Sequence, residues 1–318
     1  MFKKMYRYIF KRMVFMAITL FAVFALTFFL MNVVPGGTSE MILKHTFIGL
    51  EESATQEQLA QFSEIYNLND PLYIQFIDWL KGGIFEGDLG MSFVYHKPVL
   101  DLLLLRLPAT IILALSSMAI AVVGGVSLGI YAALKENKTA DHLLRFLTLF
   151  GVSMPGFWVG LILILIFSVY LKMVPVAGYG SLENLILPAF ALSIHSLASI
   201  MRITRTSMLE TLGQDYIKFA TSKGLSVNKI ISRHALKNAM LPVVTVLGFQ
   251  MGAMLGGSVI IETVFAWPGI GSLLVNSIFA RDLYVVQACI IVIVFLFLIV
   301  NFIVDLVYIY LDPRIRYG

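Results

Sequence analysis

The sequence predicts an all-α membrane protein with six transmembrane helices, and three observations predict it. Only 13 % of the 318 residues are charged and mean hydropathy is +0.88, so lipid must solvate most of the chain. Six apolar stretches are long enough to cross a bilayer, and none shows the in–out alternation of a barrel strand. The polar segments between them share the basic residues unevenly, as the connections of a multi-pass protein do. Backbone groups in hydrocarbon must be satisfied internally, so with a closed barrel excluded a helical bundle remains.

Met13–Val34 is the first stretch, 22 residues long. As a helix it spans about 33 Å, against roughly 30 Å of hydrocarbon. It exits into Val34-Pro35-Gly36-Gly37 with no small-x-small pattern, and so reads as a retained helix and not as a cleaved signal. In residues 35–107, Glu51–Tyr66 has helical spacing and Asn69-Asp70-Pro71 breaks it. Leu72–Leu80 resumes with Tyr73, Phe76, Ile77 and Leu80 on one stripe, which predicts a small helical cap outside the membrane. The remaining spans are predicted at Ala109–Leu134, Phe146–Leu171, Leu185–Met201, Pro242–Ile261 and Leu283–Tyr310. Pro155 should kink the third, and Ser193, His195, Ser196 and Ser199 make the fourth the least apolar. Segments 172–184 and 262–282 read as short links rich in Gly and Pro. The organisation is thus a tail and first helix over 1–34, an extracytoplasmic helical region over 35–107, a five-helix core over 108–310 and a tail over 311–318.

Orientation follows from charge. An even number of spans puts both termini on one side, together with loops 135–145 and 202–241. These four regions hold 17 of the 23 Lys and Arg, which makes that side cytoplasmic and the protein a multi-pass component of the cell membrane. Segment 35–107, with ten acids and four bases, falls outside. The net charge of +4 therefore reflects topology and does not point to nucleic acid. A single cysteine, Cys289, excludes a disulfide framework or a cysteine metal site within the chain.

Loop 202–241 is the most informative segment, with seven bases and two acids between apolar spans. Asp215 is placed to cap a helix starting at Tyr216, and Gly224 to end it in a left-handed conformation. Ser226 can cap a second helix that runs toward Asn238 and stops before Pro242. A short helix, a tight turn and a second helix feeding a membrane span make a rigid lever. The positive-inside rule accounts for the charges here but not for the caps.

At these residues the chain resembles the membrane subunits of type I ABC importers (the MetI-like permease fold), specifically the peptide/nickel branch. The signature reads Asp215-Tyr216-Ile217-Lys218-Phe219-Ala220-Thr221-Ser222-Lys223-Gly224, then His234-Ala235-Leu236-Lys237-Asn238-Ala239-Met240-Leu241-Pro242. Lys218-Phe219-Ala220 stands where the general pattern has Glu-Ala-Ala, and 17 residues separate Gly224 from Pro242, as in that branch. Gly87-Asp88-Leu89-Gly90-x-Ser92, Arg106-Leu107-Pro108-Ala109-Thr110, Gly151-Val152-Ser153-Met154-Pro155-x-Phe157-Trp158, Arg202-x-x-Arg205-x-Ser207-Met208-Leu209-Glu210, Glu262-Thr263-x-Phe265-x-Trp267-Pro268-Gly269-x-Gly271 and Leu311-Asp312-Pro313-Arg314-Ile315-Arg316 follow the branch in order. The resemblance implies a non-catalytic permease subunit importing di- or oligopeptides, nickel or nickel chelates. It implies a second homologous permease, two ABC ATPases and an extracytoplasmic binding protein as partners. Asp215, Tyr216, Lys218, Ala220, Lys223, Gly224 and Pro242 would couple the chain to an ATPase, with Ala220 and Gly224 supplying close approach and a sharp turn. No G-x-x-x-x-G-K-[ST] sequence is present, so ATP and Mg would sit on the partner ATPases.

His195 and Asp305 are costly in hydrocarbon and are therefore candidates for function. His195 is a candidate for the substrate pathway, against a plainer reading as an imidazole bonded to a neighbouring helix. Gly248, Gly252 and Gly256 recur every four residues, which reads first as close helix packing and second as pathway lining. The alternatives are an intramembrane enzyme and an ion-driven secondary transporter. Ser193 and His195 do not face each other on a helix, no H-E-x-x-H motif occurs, and no inverted repeat is visible.

Overall fold

The computed structural model describes residues 2–33 and 70–311, and every described regular element is helical. Helix α1 is Phe2–Val33, α2 Leu72–Lys81, α3 Val99–Leu134 and α4 Thr139–Ser153. Next come α5, Gly156–Leu163, with a wider π-turn over Ile164–Tyr170, and α6, Leu182–Leu212. Helix α7 is Asp215–Ser222, and α8, Leu236–Val264, is entered through a π-turn over Ile230–Ala235. Ile270–Phe279 forms α9 and Leu283–Leu311 forms α10. Among the described residues, five helices are long and apolar enough to cross a membrane, and the bent pair α4–α5 makes a sixth if it counts as one span.

The chain divides into two compact units. One holds Tyr8–Pro108 and Gly269–Phe295. In it the aromatic side chains of α1 meet those of α2, with Phe28 5.3 Å from Phe76 and Phe24 5.4 Å from Trp79 between ring centroids. The expected cap stripe is rotated: Phe76 is buried, but Tyr73 and Ile77 are exposed, and Trp79 takes part in the packing. The predicted helix at 51–66 lies outside the described residues. A second apolar cluster joins Val99, Leu102 and Leu103 of α3 to Ile270 and Leu273 of α9 and Val285, Ala288 and Cys289 of α10. Beside it, buried Asp282 accepts hydrogen bonds from the Ser92 hydroxyl at 2.5 Å and the Val94 N–H at 3.3 Å.

The other unit holds Ala109–Pro268 and the ends of the chain, with α6 at its centre. The apolar window of α6 is 61 % buried, against 11 % for that of α1. Gly125 and Gly129 of α3 let it approach: a Cβ on Gly129 would lie 2.7 Å from the Met201 carbonyl. Trp267, buried after the end of α8, donates from Nε1 to the Ala109 carbonyl at 2.9 Å. The Thr110 hydroxyl donates to the buried Glu262 carboxylate at 2.8 Å.

Four expectations about elements are corrected. Pro155 breaks the third stretch where a kink was expected, and the two halves meet at 107°. Met154, which precedes the proline, is extended at ψ 134°, and Pro155 itself is extended at ψ 131°, so two successive residues leave the helix. The fourth stretch does not end at Met201, because α6 continues to Leu212 and absorbs the start of the expected hairpin. Its polar side chains Thr204, Ser207 and Thr211 are small enough to bury. Pro242 does not stop a helix but lies inside α8, which continues past it without the backbone donor that proline lacks. Segment 262–282 is more than a link, since it contains the ten-residue α9.

Candidate functional site

The end of α6, α7 and the start of α8 form one hairpin with its own apolar floor. Ile217 and Ala220, three residues apart on α7, bury against Met208 of α6, Ala133 of α3, and Ala235 and Ala239 of the second arm. Burial of one face at that spacing sends the other face outward. Tyr216 is 43 % and Phe219 61 % exposed, and Asp215, Lys218 and Lys223 are exposed with them.

Both ends of α7 have a local cause. Gln214 is the residue before the helix, extended at ψ 150° and without a side-chain cap bond, so the expected cap at Asp215 is displaced by one position. Asp215 instead sits in the first turn, where a carboxylate opposes the helix dipole, and accepts from Lys218 Nζ at 2.9 Å. At the other end Gly224 is left-handed, at φ 76°. The Gly224 N–H donates to the Thr221 carbonyl at 2.9 Å and the Leu225 N–H to the Ala220 carbonyl at 3.4 Å. This paired closure, with Leu225 packed on the Ala220 cluster, is the Schellman end that the glycine allows. A Cβ on Gly224 would meet nothing within 4 Å, so the position demands backbone conformation and not space. After Ser226, whose carbonyl accepts from the N–H groups of Lys229 and Ile230, the second arm begins as expected.

Two contacts stiffen the exposed face. The Asn238 amide donates to the Tyr216 hydroxyl at 2.8 Å, and Lys223 Nζ lies 4.6 Å above the Phe219 ring. Lys218, Lys223, Lys229, Arg233 and Lys237 are all exposed on this hairpin, leaving Asp215 as the acid beside them on α7. The surface is aromatic at its centre and cationic around it. Neither the Asn238–Tyr216 bond nor a fork between Asp141 and Arg205 is evident in the sequence. The Arg202-x-x-Arg205 motif was the only sign of the latter.

The remaining candidates do not gather at the hairpin. Pro242 follows Asn238 by one turn on α8 and is exposed. A Cβ on Gly252 would lie 2.6 Å from Phe297 of α10, and one on Gly248 would collide with Val304, whereas Gly256 is exposed with open space beside it. His195 is exposed on α6 and hydrogen-bonds to none of the described residues. The serines of its turn face elsewhere: Ser193 donates to the Phe190 carbonyl and Ser196 to the Gln250 amide oxygen, both at 2.8 Å. His195 shares its exposed face of α6 with Arg202, Thr206 and Glu210. Asp305 is half-buried on α10.

Residues 125–317 match the family described as binding-protein-dependent transport system inner membrane component, and residues 5–114 match its N-terminal companion. The chain belongs to this family. Among curated relatives of this inner membrane component, the oligopeptide transport system permease protein AppB of Bacillus subtilis is 36 % identical over 98 % of the chain and 99 % of its own length. The glutathione transport system permease protein GsiC of Escherichia coli K12 is 38 % identical over 98 % of the chain and all of its own length. A solved structure of the MetNI methionine ABC transporter in an inward-facing conformation matches with a TM-score of 0.56 and 17 % identity. It covers 66 % of this chain and 96 % of that one, and carries the likeness of fold alone. The chain is accordingly a multi-pass inner-membrane permease of the peptide ABC importer kind.

Proposed function

We propose that this chain forms one half of the translocation pathway of an ATP-driven importer of peptides, and that α7 docks it to an ATPase on the cytoplasmic side. One observation carries the proposal: α7 buries Ile217 and Ala220 in its own chain while presenting Tyr216, Phe219, Lys218 and Lys223 outward. A solvated loop obeying only a charge rule has no reason to order exposed aromatic rings. Exposed aromatic and cationic groups on a rigid two-armed support suit a groove with acidic walls on another protein. The second arm runs into α8 without a break, so motion of α7 reaches the membrane directly. Lys218, exposed and already beside Asp215, contributes little to the fold and is available to a partner.

The broken α4–α5 pair counts as one crossing in this reading. That gives six spans, with both termini and α7 in the cytoplasm, and residues 35–107 outside. The exposed face of α6 bearing His195 and Arg202 is assigned to the pathway or to the partner permease, because ionisable groups are not left to face lipid. Relatives named for oligopeptide and glutathione transport support a peptide substrate. Neither of these two relatives is named for nickel. ATP and Mg belong to two separate ATPases, and an extracytoplasmic binding protein delivers the substrate. Gly248 and Gly252 fit helix packing, and Gly256 remains free to face the pathway or the second permease.

The test is reconstitution of the chain with its partner permease, ATPases and binding protein in proteoliposomes. Uptake of a labelled oligopeptide should require ATP and the binding protein, and should survive ionophores that collapse ion gradients. Uptake by the chain alone, or uptake that follows a gradient without ATP, would overturn the proposal.

A further inference from the structure

Arg205 and the run from Gly151 to Pro155 lie outside α7, yet the structure joins them to it through α4 and α6. Arg205 is on the extension of α6 that leads into α7. Its guanidinium forks onto Asp141 in the first turn of α4, Nε donating to Oδ1 at 2.6 Å and Nη2 to Oδ2 at 2.7 Å. The Asp141 side chain has no exposed surface and that of Arg205 only 16 %. The N–H of Asn137, held in a left-handed conformation at φ 58°, donates to the same carboxylate at 3.1 Å. The turn after α3, the start of α4 and the arm carrying α7 therefore meet at one carboxylate. Arg202, a turn earlier on α6, is exposed.

Helix α4 is held to α6 a second time near its other end. A Cβ on Gly151 would lie 3.1 Å from that of Ala198 and 3.3 Å from Ile194 Cγ2, so the two helices are in close contact there. Just beyond, the chain turns through 107° at Met154-Pro155 into α5. Helix α4 is thus fixed at one end to the docking arm and ends at a sharp bend. A buried ion pair is weak as a source of stability, since its desolvation offsets much of its attraction. What a bidentate fork supplies is a single relative orientation of the two helices that bear it.

We infer that Asp141 and Arg205 are positioning residues of the transport cycle, whose fork carries displacement of the α7 hairpin into α4 and the bent α4–α5 pair. The inference rests on the reading of α7 as the ATPase-docking helix. Replacing the fork should leave the ATPases docked but disconnect their movement from the pathway.

The test uses the complete transporter in proteoliposomes, with Arg205→Lys, which keeps the charge but not the fork, and Asp141→Asn. Substrate imported per ATP hydrolysed should fall by about tenfold, the upper part of the range seen when coupling networks are cut. A purely structural role would lower the yield of complex but not this ratio. Docking is read separately by cross-linking Phe219→Cys to the ATPase, Cys289 being buried. The cross-link should persist when the fork is cut. An unchanged import-to-hydrolysis ratio in the assembled variants would overturn the inference, and so would failure of even Arg205→Lys to assemble. Absence of the cross-link with the fork intact would instead overturn the docking reading beneath it.

Discussion

The side-chain amide of Asn238 reaches across the hairpin to the hydroxyl of Tyr216, 2.8 Å away, and so ties the first exposed ring of α7 to the arm that becomes α8. The bond is exposed and adds little to the stability of the fold. Its consequence is mechanical, since it couples the Tyr216 ring to the start of α8. Tyr216→Phe keeps the ring and removes the bond. ATP-dependent uptake should fall about fivefold, equivalent to a hydrogen bond of about 1 kcal/mol. Asn238→Ala should do the same, and the double variant should be no worse than either single one, because both remove one interaction. Uptake measured in proteoliposomes checks this; additive losses would show that the two residues act separately.

Gly224 separates conformation from charge. Its backbone is left-handed and the space around it is open. Asn visits that conformation more readily than other residues with a side chain, so Gly224→Asn should retain most uptake. Gly224→Ala should cost about 1 kcal/mol in the closure of α7 and lose part of it. Gly224→Asp meets the same backbone demand as Asn but adds a negative charge beside Lys223, and it should abolish uptake while the protein still reaches the membrane. Comparing uptake with the amount of protein in the membrane for the three variants checks the order. Equal uptake by the Asn and Asp variants would exclude a role for charge at this end of the helix.

Five of the long apolar helices were legible because hydropathy registers length, and the left-handed Gly224 because its position between two amphipathic runs leaves few other conformations. Pro155 was visible as a disruption, but whether it kinks or breaks a helix depends on Met154 also leaving the helical region, which tertiary packing decides. In the sequence, the charge of Arg202 and Arg205 marks an end to the fourth span that the structure does not have. The helix continues since Thr204, Ser207, Met208 and Thr211 bury a narrow face under the charges. The Asp141–Arg205 fork joins residues 64 apart and leaves no periodic trace. Helix α9 was hidden by its flanks, Pro268-Gly269 and Arg281-Asp282, which read as turn residues on both sides.

The glycine stripe of α8 should respond unevenly. Gly252→Ala places a Cβ 2.6 Å from Phe297, and overpacking of that kind costs roughly 1–3 kcal/mol. Gly248→Ala, opposite Val304, should cost at least as much. Gly256→Ala meets nothing within the chain and should leave its stability unchanged. Thermal unfolding of the purified chain in detergent measures all three. A loss of uptake by Gly256→Ala at unchanged stability would place that glycine against the pathway or the second permease.

Trp267 offers a test of the buried polar contacts of α3 and α8. Its Nε1–H satisfies the Ala109 carbonyl, and its ring meets Tyr179 edge-on at 4.9 Å. Trp267→Phe keeps an aromatic ring but removes the Nε1–H donor; Ala109 lies inside α3 and its carbonyl keeps the helical bond, so the loss is that of one hydrogen bond, about 0.5–1.5 kcal/mol. The same unfolding measurement should show a fall in midpoint for this variant, and no fall would mean that the Trp267–Ala109 bond adds nothing to stability.

Topology can be read on the native background because Cys289 is the only cysteine and has no exposed surface. A membrane-impermeant thiol reagent should therefore not label the unaltered chain. Cysteines placed at exposed Ser222, beside Gly224, and at exposed Asn137, in the turn after α3, should be labelled in inside-out vesicles and spared in intact cells. A cysteine at exposed Tyr179, between α5 and α6, should show the reverse. Positions 137 and 179 flank the α4–α5 pair, so together they decide whether the 107° bend lies within a crossing or the pair dips in and returns. Opposite labelling makes it a crossing and brings the total to six, with α7 on the side of the ATPases. Labelling of both from the same side would make the pair re-entrant, and labelling of Ser222→Cys from outside the cell would remove α7 from the reach of any ATPase.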